Sequence, residues 1–576
     1  MQMSCSPHAG RMKRGVTAIL PRNGRVPMRI KKKGRSSFLV QGSILAVAGI
    51  IVRLIGLVYR VPMTNILGEE GIGVYSAAYQ IYNIILLLSS YSLPLAVSKL
   101  VAAKLAVREY RNSYRVFTGA LIFALIVGAV AGTITYVGAG FFAQTVLNMP
   151  EAATAIRVLA PAIFFMAILG VLRGYFQGQG TMIPTALSQI FEQIVNAIVS
   201  VLAAYYLFNY GLDADRIHGT SIYANAYGAA GGTLGTLLGA LTALIFCIAV
   251  YFMYSKVIKR RLRRDKNPAL DTYADIGRML IITIVPVVIS SAVYNISSLV
   301  DNSVFGYYME SAGQLDSYTG IWGAFSGKYL LMVHVPVAIA TSLASSVIPA
   351  LSQAMARHEK AHVMDSISQI IRFAMLIAIP AAVGLAVLSG PIMNLLFSGD
   401  NTEASAMMLW GSSAVVFFSL STVTNGVLQG INHLRAPIIN ALISLVIHVI
   451  VLAMLLWGLD AGIYGVVAAN IVFGACMCVL NALSIGRIMN YQQEIRKTFL
   501  LPILSSAVMG AVVWGIYQLV YMAVDSNILA LLLSILIGVI IYFVMLLLSK
   551  CLDEEELYSM PFGRTLASFG KRLHLL

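Results

Sequence analysis

The chain has 576 residues with a formal net charge of +16, yet 59% of them are hydrophobic and only 11% are charged. Soluble proteins average about 25% charged residues, so a soluble globular domain is excluded. The basic excess is not a nucleic-acid footprint either. The lysines and arginines fall in short clusters between apolar runs, as in membrane proteins that mark their cytoplasmic side.

Residues 1–37 form a basic arm with ten Lys/Arg and no apolar core of its own, which is neither a signal peptide nor a folded domain. Met28 opens the stretch MRIKKKGRSSFLV, an ordinary beginning for such a protein, so residues 1–27 read as a start-site artefact or an arm. A crossing helix needs about 20 mostly apolar residues. On that length, spans are expected near 38–60, 73–97, 116–140, 153–175, 183–207, 229–254, 279–305, 319–349, 370–397, 404–430, 436–457, 462–486, 500–522 and 527–549, fourteen in all. The expected fold is therefore an all-α polytopic membrane protein. Residues 38–254 make an N-terminal lobe of six helices and 279–486 a C-terminal lobe of six, joined by a basic linker over 255–278. Two further helices follow at 500–549, then a tail at 550–576. The expected eighth span, 319–349, contains Pro336 and is expected to tilt or kink.

Positive charge orients the spans. Clusters occur in 1–37, 98–115, 255–278, 350–372, 487–499 and the tail from Lys550, with one residue each in the tight turns at Arg173 and Arg435. The alternate loops carry mainly acids, among them Glu69, Asp213, Asp400 and Asp460. Both termini are thus expected in the cytoplasm. Of the remaining cations, Arg216 lies in an alternate loop, while Arg53, Arg60, Arg157 and Lys328 fall inside expected spans.

In the first span Gly49, Arg53, Gly56 and Arg60 are spaced four, three and four, which places them on one helix face. A charge at the bilayer centre costs at least about 2.5–3.5 kcal/mol, so that face points to a bundle interior or a water-filled cavity. Arg60, ending the span, has the alternative of snorkelling to the interface. Arg157 reads equally as a rim salt bridge or a substrate contact. In the fifth span Gln189, Glu192, Gln193, Asn196 and Ser200 follow helical spacing; in the seventh Ser291, Asn295, Ser298 and Asn302 do, with Asp301 adjacent. Glu192 reads as counter-ion to a buried arginine or as a proton or sodium site, and Asp301 as a coupling group or counter-ion. Lys328 and His334, six residues apart, are about 120° apart on a helix, so only one of them faces a common centre; Lys328 is the one chosen. His448, alone on an apolar span, reads as a hydrogen-bonded packing residue. The basic excess within the spans points to a cavity that attracts anions.

A weak internal repeat supports two related halves, as in many transporters. Gly174, Gln177 and Gly178 recur at one offset as Gly426, Gln429 and Gly430, and SLPLAVSKL at 92–100 echoes SSVIPALSQ at 345–353. The offset of six helices makes the halves parallel repeats. No phosphate loop, nucleotide-binding glycine motif or metal-ligand cluster is present, and the five scattered cysteines form no disulfide framework. The chain is thus expected to be no enzyme and to have no cofactor, with H+ or Na+ open as coupling ion.

Four segments together, FLVQGSILAVAGIIVRLIGLVYRVPMTNILGEEGIGVYSAAYQIYN, SLPLAVSKLVAAK, QGQGTMIP and PVAIATSLASSVIPALSQA, identify a resemblance across nearly all of 38–549. The chain resembles the multidrug/oligosaccharidyl-lipid/polysaccharide exporter superfamily, in the branch of polysaccharide biosynthesis proteins like stage V sporulation protein B. The resemblance implies fourteen helices in two lobes around a cavity, in a bacterial cytoplasmic membrane. It also implies kinship with lipid II flippases, which move an undecaprenyl-pyrophosphate-linked precursor. Those flippases have an important basic residue early in the first helix, in a pattern like the R-L-I-G of residues 53–56, and Arg53 holds that place. Lys328 lies in the region of their eighth-helix arginine, while their second-helix arginine has no counterpart in 73–97. The expected activity is alternating-access transfer of a lipid-linked anionic oligosaccharide by a monomer. Arg53, Arg60, Lys328 and Arg157 would meet phosphate, and Gln189, Gln193, Asn196 and Asn295 sugar or peptide. The rival readings are an organic-cation antiporter of the same superfamily and a non-transporting scaffold for envelope or spore assembly.

Overall fold

The computed structural model describes residues 33–265, 270–356 and 359–551. The arm up to residue 32 and the tail from 552 lie outside the described residues, as do 266–269 of the linker. No strand occurs among the described residues. The helices are α1 (Lys33–Leu86), α2 (Leu93–Ala106), α3 (Tyr110–Val137), α4 (Ala139–Phe141), α5 (Ala152–Gly178), α6 (Ile183–His218), α7 (Tyr223–Arg264), α8 (Tyr273–Ser311) and α9 (Leu315–Gly323). They continue as α10 (Leu330–Ala356), α11 (Lys360–Val387), α12 (Ser389–Leu396), α13 (Thr402–Gly411), α14 (Ala414–Gly430), α15 (Arg435–Ala453), α16 (Gly462–Met489), α17 (Leu501–Val524) and α18 (Asn527–Leu548).

Sequence dictates the helix ends. Pro94, Pro184 and Pro502 stand in the first turns of α2, α6 and α17, where a missing N–H costs nothing. The Thr272 hydroxyl accepts from the Asp275 N–H at the start of α8, and Gly219 closes α6 with φ +65°. The most consequential break lies inside α1. Gly68 has φ 68° and ψ −175°, a region open essentially only to glycine, so the stretches 33–67 and 69–86 meet at one residue instead of a loop.

Among the described residues eleven helices are long and apolar enough to cross a membrane, or twelve if the pair α13 and α14, bent by 52°, is one span. That is fewer than the fourteen expected. The expected span 73–97 and most of 38–60 fall in one continuous stretch, Val47–Ala106, and the expected 279–305 falls on α8, which is not among the eleven. The expected eighth span contains a π-helical segment, Ala324–Tyr329, ahead of α10, which carries Pro336. Large apolar side chains such as Val58, Ile126, Ile245, Val446 and Leu536 stand more than half exposed on the outer surface. A surface so rich in exposed apolar groups needs lipid around it, and the protein is a multi-pass membrane protein.

The helices sort into two packing groups. In the first, α6 packs on α7, α5 on α7, α3 and α2, and α1 on α6; in the second, α10 packs on α14, α15 on α16, α14 on α16 and α11 on α14. α17 and α18 pair with each other, and α17 leans on α11. The repeat motifs occupy matching places. A Cβ on Gly174 or Gly178 would strike Pro94, Val97, Ser98 or Val101 of α2, and one on Gly426 or Gly430 would press on Ala344 or Leu351 of α10. In each half, then, the glycines of one repeated motif admit the helix that carries the other.

Candidate functional site

Between the two groups lies a cavity of about 590 Å³, walled by α1, α6 and α10. The spacing along α1 carries Arg53, Gly56 and Arg60 onto its wall together, beside Gln193 and Asn196 of α6. Gly56 makes room for the Gln193 amide: a Cβ there would stand 3.2 Å from Nε2. Arg53 donates from Nη1 to the Ala338 carbonyl at 2.9 Å, and Arg60 sits beside Tyr59 and Tyr79 on the same wall. Among the described residues neither arginine forms an ion pair. A planar guanidinium with free donors in a largely apolar recess is suited to a carboxylate or phosphate oxygen.

The other expected site residues are dispersed. Lys328 does not line this cavity; His334, the alternative set aside, does. The reason is the π segment, which slips the helical register, and the distance of Lys328 along the helix from the cavity wall. Lys328 is 2% exposed, and its Nζ donates to Glu69 Oε1 at 2.6 Å, Asn401 Oδ1 at 2.7 Å and the Asp400 carbonyl at 3.2 Å. All three ammonium donors are thereby used. Around it, the Asn65 amide donates to the Leu396 carbonyl while its Oδ1 accepts from the Ser398 N–H. Gly73 and Gly323 bring backbones together so closely that a Cβ on Gly323 would overlap the Glu69 carbonyl. The break in α1 around Gly68 is therefore sealed against α9 and the loop before α13. Asp400 stays ionised there, its carboxyl held below the usual range by the Thr402 hydroxyl and N–H.

Arg157 is exposed and lines neither cavity. Gln189 is half-buried and likewise outside the cavity wall. Glu192 Oε2 receives Arg173 Nη2 at 2.7 Å, while Arg173 Nε donates to the Ser188 hydroxyl at 2.9 Å. Arg173 is therefore not a turn residue, as its charge cluster suggested, but a buried member of α5. Asn295 and Asp301 line a second cavity of about 330 Å³, walled mainly by α8, α10, α14 and α16 with Gln80 of α1, which shares His334 and Val337 with the first. There His448 Nε2 lies 2.6 Å from Asp301 Oδ1 and the Asn470 amide donates to Asp301 Oδ2 at 3.0 Å. Asn302 is taken up in bonds to Gln80 and Tyr318, and the Ser291 side chain lies outside the described residues.

Sequence reasoning missed Glu69, Arg173 and the His448 pairing. Arg173 and Glu192 are 19 residues apart across a helical turn, and since the expected span 153–175 already contains Arg173, the pairing was within reach had that arginine not been counted with the turn. Glu69 and Lys328 are 259 residues apart, and nothing in one sequence joins them.

The family model described as polysaccharide biosynthesis protein matches residues 39–355, and one described as MatE matches 286–454. Lipid II flippase MurJ of Bacillus subtilis is 26% identical over 496 residues, covering 83% of this chain and 88% of that protein. Stage V sporulation protein B of Bacillus subtilis is 24% identical over 528 residues, covering 92% of this chain and 98% of that one. Among solved structures, the inward closed conformation of lipid II flippase MurJ aligns with a TM-score of 0.62 at 17% identity, over 87% of this chain and 97% of that one.

Proposed function

The chain belongs to the polysaccharide biosynthesis protein family, in the flippase-like branch of the multidrug/oligosaccharidyl-lipid/polysaccharide exporter superfamily, and from that premise we propose that it flips an undecaprenyl-pyrophosphate-linked cell-wall precursor, lipid II or a related lipid-linked oligosaccharide, across the cytoplasmic membrane. The observation that carries this reading is the pair Arg53 and Arg60, on one wall of a cavity between the two helix groups and without an acidic partner among the described residues. The pyrophosphate meets these guanidinium groups, Gln193 and Asn196 hydrogen-bond to the sugar or peptide, and the polyprenyl tail remains in lipid.

The two packing groups act as the N- and C-terminal lobes, and both termini face the cytoplasm. On that orientation the Lys328–Glu69 contact and the Gly73/Gly323 seam hold the outer side shut, so Lys328 serves as a latch and not as a phosphate ligand. Transport requires the lobes to rock about the cavity and this seam to part.

The test is translocation of a fluorescent undecaprenyl-pyrophosphate oligosaccharide in proteoliposomes, for the unchanged protein and for Arg53→Ala and Arg60→Ala at equal reconstitution. Movement that both variants abolish while remaining folded supports the reading. Exchange of organic cations without any movement of lipid-linked substrate replaces it with an antiporter. Cell-wall or spore assembly that survives both substitutions replaces it with a scaffold.

A further inference from the structure

The second cavity holds a buried donor with nothing to donate to. Trp322, near the end of α9, lines it and is 1% exposed, and its indole Nε1–H meets no acceptor among the described residues. An unpaired buried donor is costly, and a buried tryptophan normally finds a partner for its N–H. Two amides on the same wall are half used. The Gln80 side-chain carbonyl accepts from the Asn302 amide and the Asn425 side-chain carbonyl from the Asn481 amide, each at 2.8 Å, which leaves the NH2 group of each without an acceptor among the described residues.

The wall also defines the kind of molecule that fits. Among the described residues no lysine or arginine lines the cavity, so a phosphate there would give up its water for no counter-charge. The one carboxylate, Asp301, is already bonded through both oxygens to His448 and Asn470. The spare donors stand instead among the rings of Phe325, Phe418 and Phe473. An uncharged ligand with oxygens at its rim and C–H groups on its faces suits both, and that is the make-up of a pyranose ring. A purely apolar guest would leave the donors stranded. At about 330 Å³ the space falls within the range of about 300–1,000 Å³ usual for small-molecule sites.

The place of the donor relative to the arginines fits the same class. The two cavities share His334 and Val337, while Trp322 stands twelve residues before His334, roughly 18 Å along the helix at about 1.5 Å per residue. A group that reaches Trp322 is thus well removed from a phosphate held in the cavity between the helix groups. We propose that the second cavity is a saccharide subsite, in which an uncharged sugar ring lies against the aromatic wall, accepts the Trp322 indole hydrogen and takes further hydrogen bonds from Gln80 and Asn425. That this sugar belongs to the transported head group rests on the flippase reading above; the fit of the cavity to sugar does not. On that reading the head group is held at two points, its phosphate by Arg53 and Arg60 and the sugar beyond it by Trp322.

The experiment uses the full chain in lipid nanodiscs, with Trp410, Trp457 and Trp514 replaced by phenylalanine so that Trp322 alone emits. Three probes are added in turn: undecaprenyl pyrophosphate, the same lipid carrying a disaccharide, and the free disaccharide at millimolar concentration. The expected result is a shift of Trp322 emission with the glycosylated lipid and with the free disaccharide, none with the bare lipid, and tighter binding of the glycosylated lipid than of the bare one. Trp322→Phe in the otherwise unchanged chain should weaken binding of the glycosylated lipid about three- to tenfold, the worth of one hydrogen bond, and leave binding of the bare lipid as it was. The emission is read with the site intact, so it decides the matter even where the variant misfolds. Equal binding of the two lipids, an equal shift with the bare lipid, or a preference for the glycosylated lipid that survives in folded Trp322→Phe overturns the proposal. A shift with the free disaccharide and binding of neither lipid keeps the subsite and removes the flippase reading. Binding of the bare lipid, with no response of Trp322 to sugar free or attached, removes the subsite alone and leaves the cavity to water.

Discussion

The two cavities treat charge in opposite ways. In the one between the helix groups, Arg53 and Arg60 stand on the wall with no ion pair among the described residues. In the other, both carboxylate oxygens of Asp301 and both ring nitrogens of His448 are hydrogen-bonded. A cation left without its partner awaits one that arrives from outside the protein, whereas a carboxylate wrapped in donors is held by its own fold. On the proposed function the first arrangement serves binding, while the second holds the fold, and substitutions should separate them.

The largest effect expected is on the filled site. Asp301→Ala strands a buried imidazole and amide, and removing one partner of a buried pair costs roughly 3–5 kcal/mol, so apparent thermal stability in detergent should fall sharply. The comparison fails if Asp301→Ala melts like the unchanged protein. Arg53→Ala and Arg60→Ala should leave the melting curve close to that of the unchanged protein while slowing translocation about 10- to 100-fold each, the equivalent of losing a hydrogen bond to a charged group worth about 1.5–3 kcal/mol. Loss of stability without loss of transport would assign these arginines to the fold. A smaller shift is expected of Glu69→Gln, whose side chain is 36% exposed: about 1 kcal/mol toward opening of the seam, read as roughly fivefold faster maleimide labelling of a cysteine placed at Ser76. Ser76 suits this because its hydroxyl meets Ser326 at 2.7 Å across the closed contact. Arg216→Ala should do least, below about 0.5 kcal/mol by thermal melt, since its pair with Asp213 is mostly in solvent.

Much of this was legible where chemistry repeats along one helix. The spacing of Arg53, Gly56 and Arg60 placed them on one wall, and Gln193 and Asn196 joined them by the same rule. The repeated glycines of α5 and α14 marked two halves because each must admit a neighbouring helix, a demand that leaves a short motif in the chain. What escaped was of two kinds. A π segment adds to the helical turn without any sequence signature, so Lys328 and His334 exchanged places relative to the expected face. Partners brought together by folding, such as Glu69 with Lys328 and Asp301 with His448, are joined only once the helices are assembled. The first two expected crossings appear as one continuous stretch because the boundary between them is a single glycine at 68.

That glycine also sets a mechanical ratio. The helix running from Gly68 back to Arg53 is fifteen residues long, about 22 Å at 1.5 Å per residue, and it meets its neighbour through one joint with no loop to absorb motion. By the same geometry, a tilt of about 10° at the joint sweeps Arg53 through roughly 4 Å, more than a hydrogen-bond length. A lever of this proportion converts a slight rotation at a sealed end into the gain or loss of a whole contact at the far one. Small forces at the seam can therefore decide whether the arginine grips or lets go.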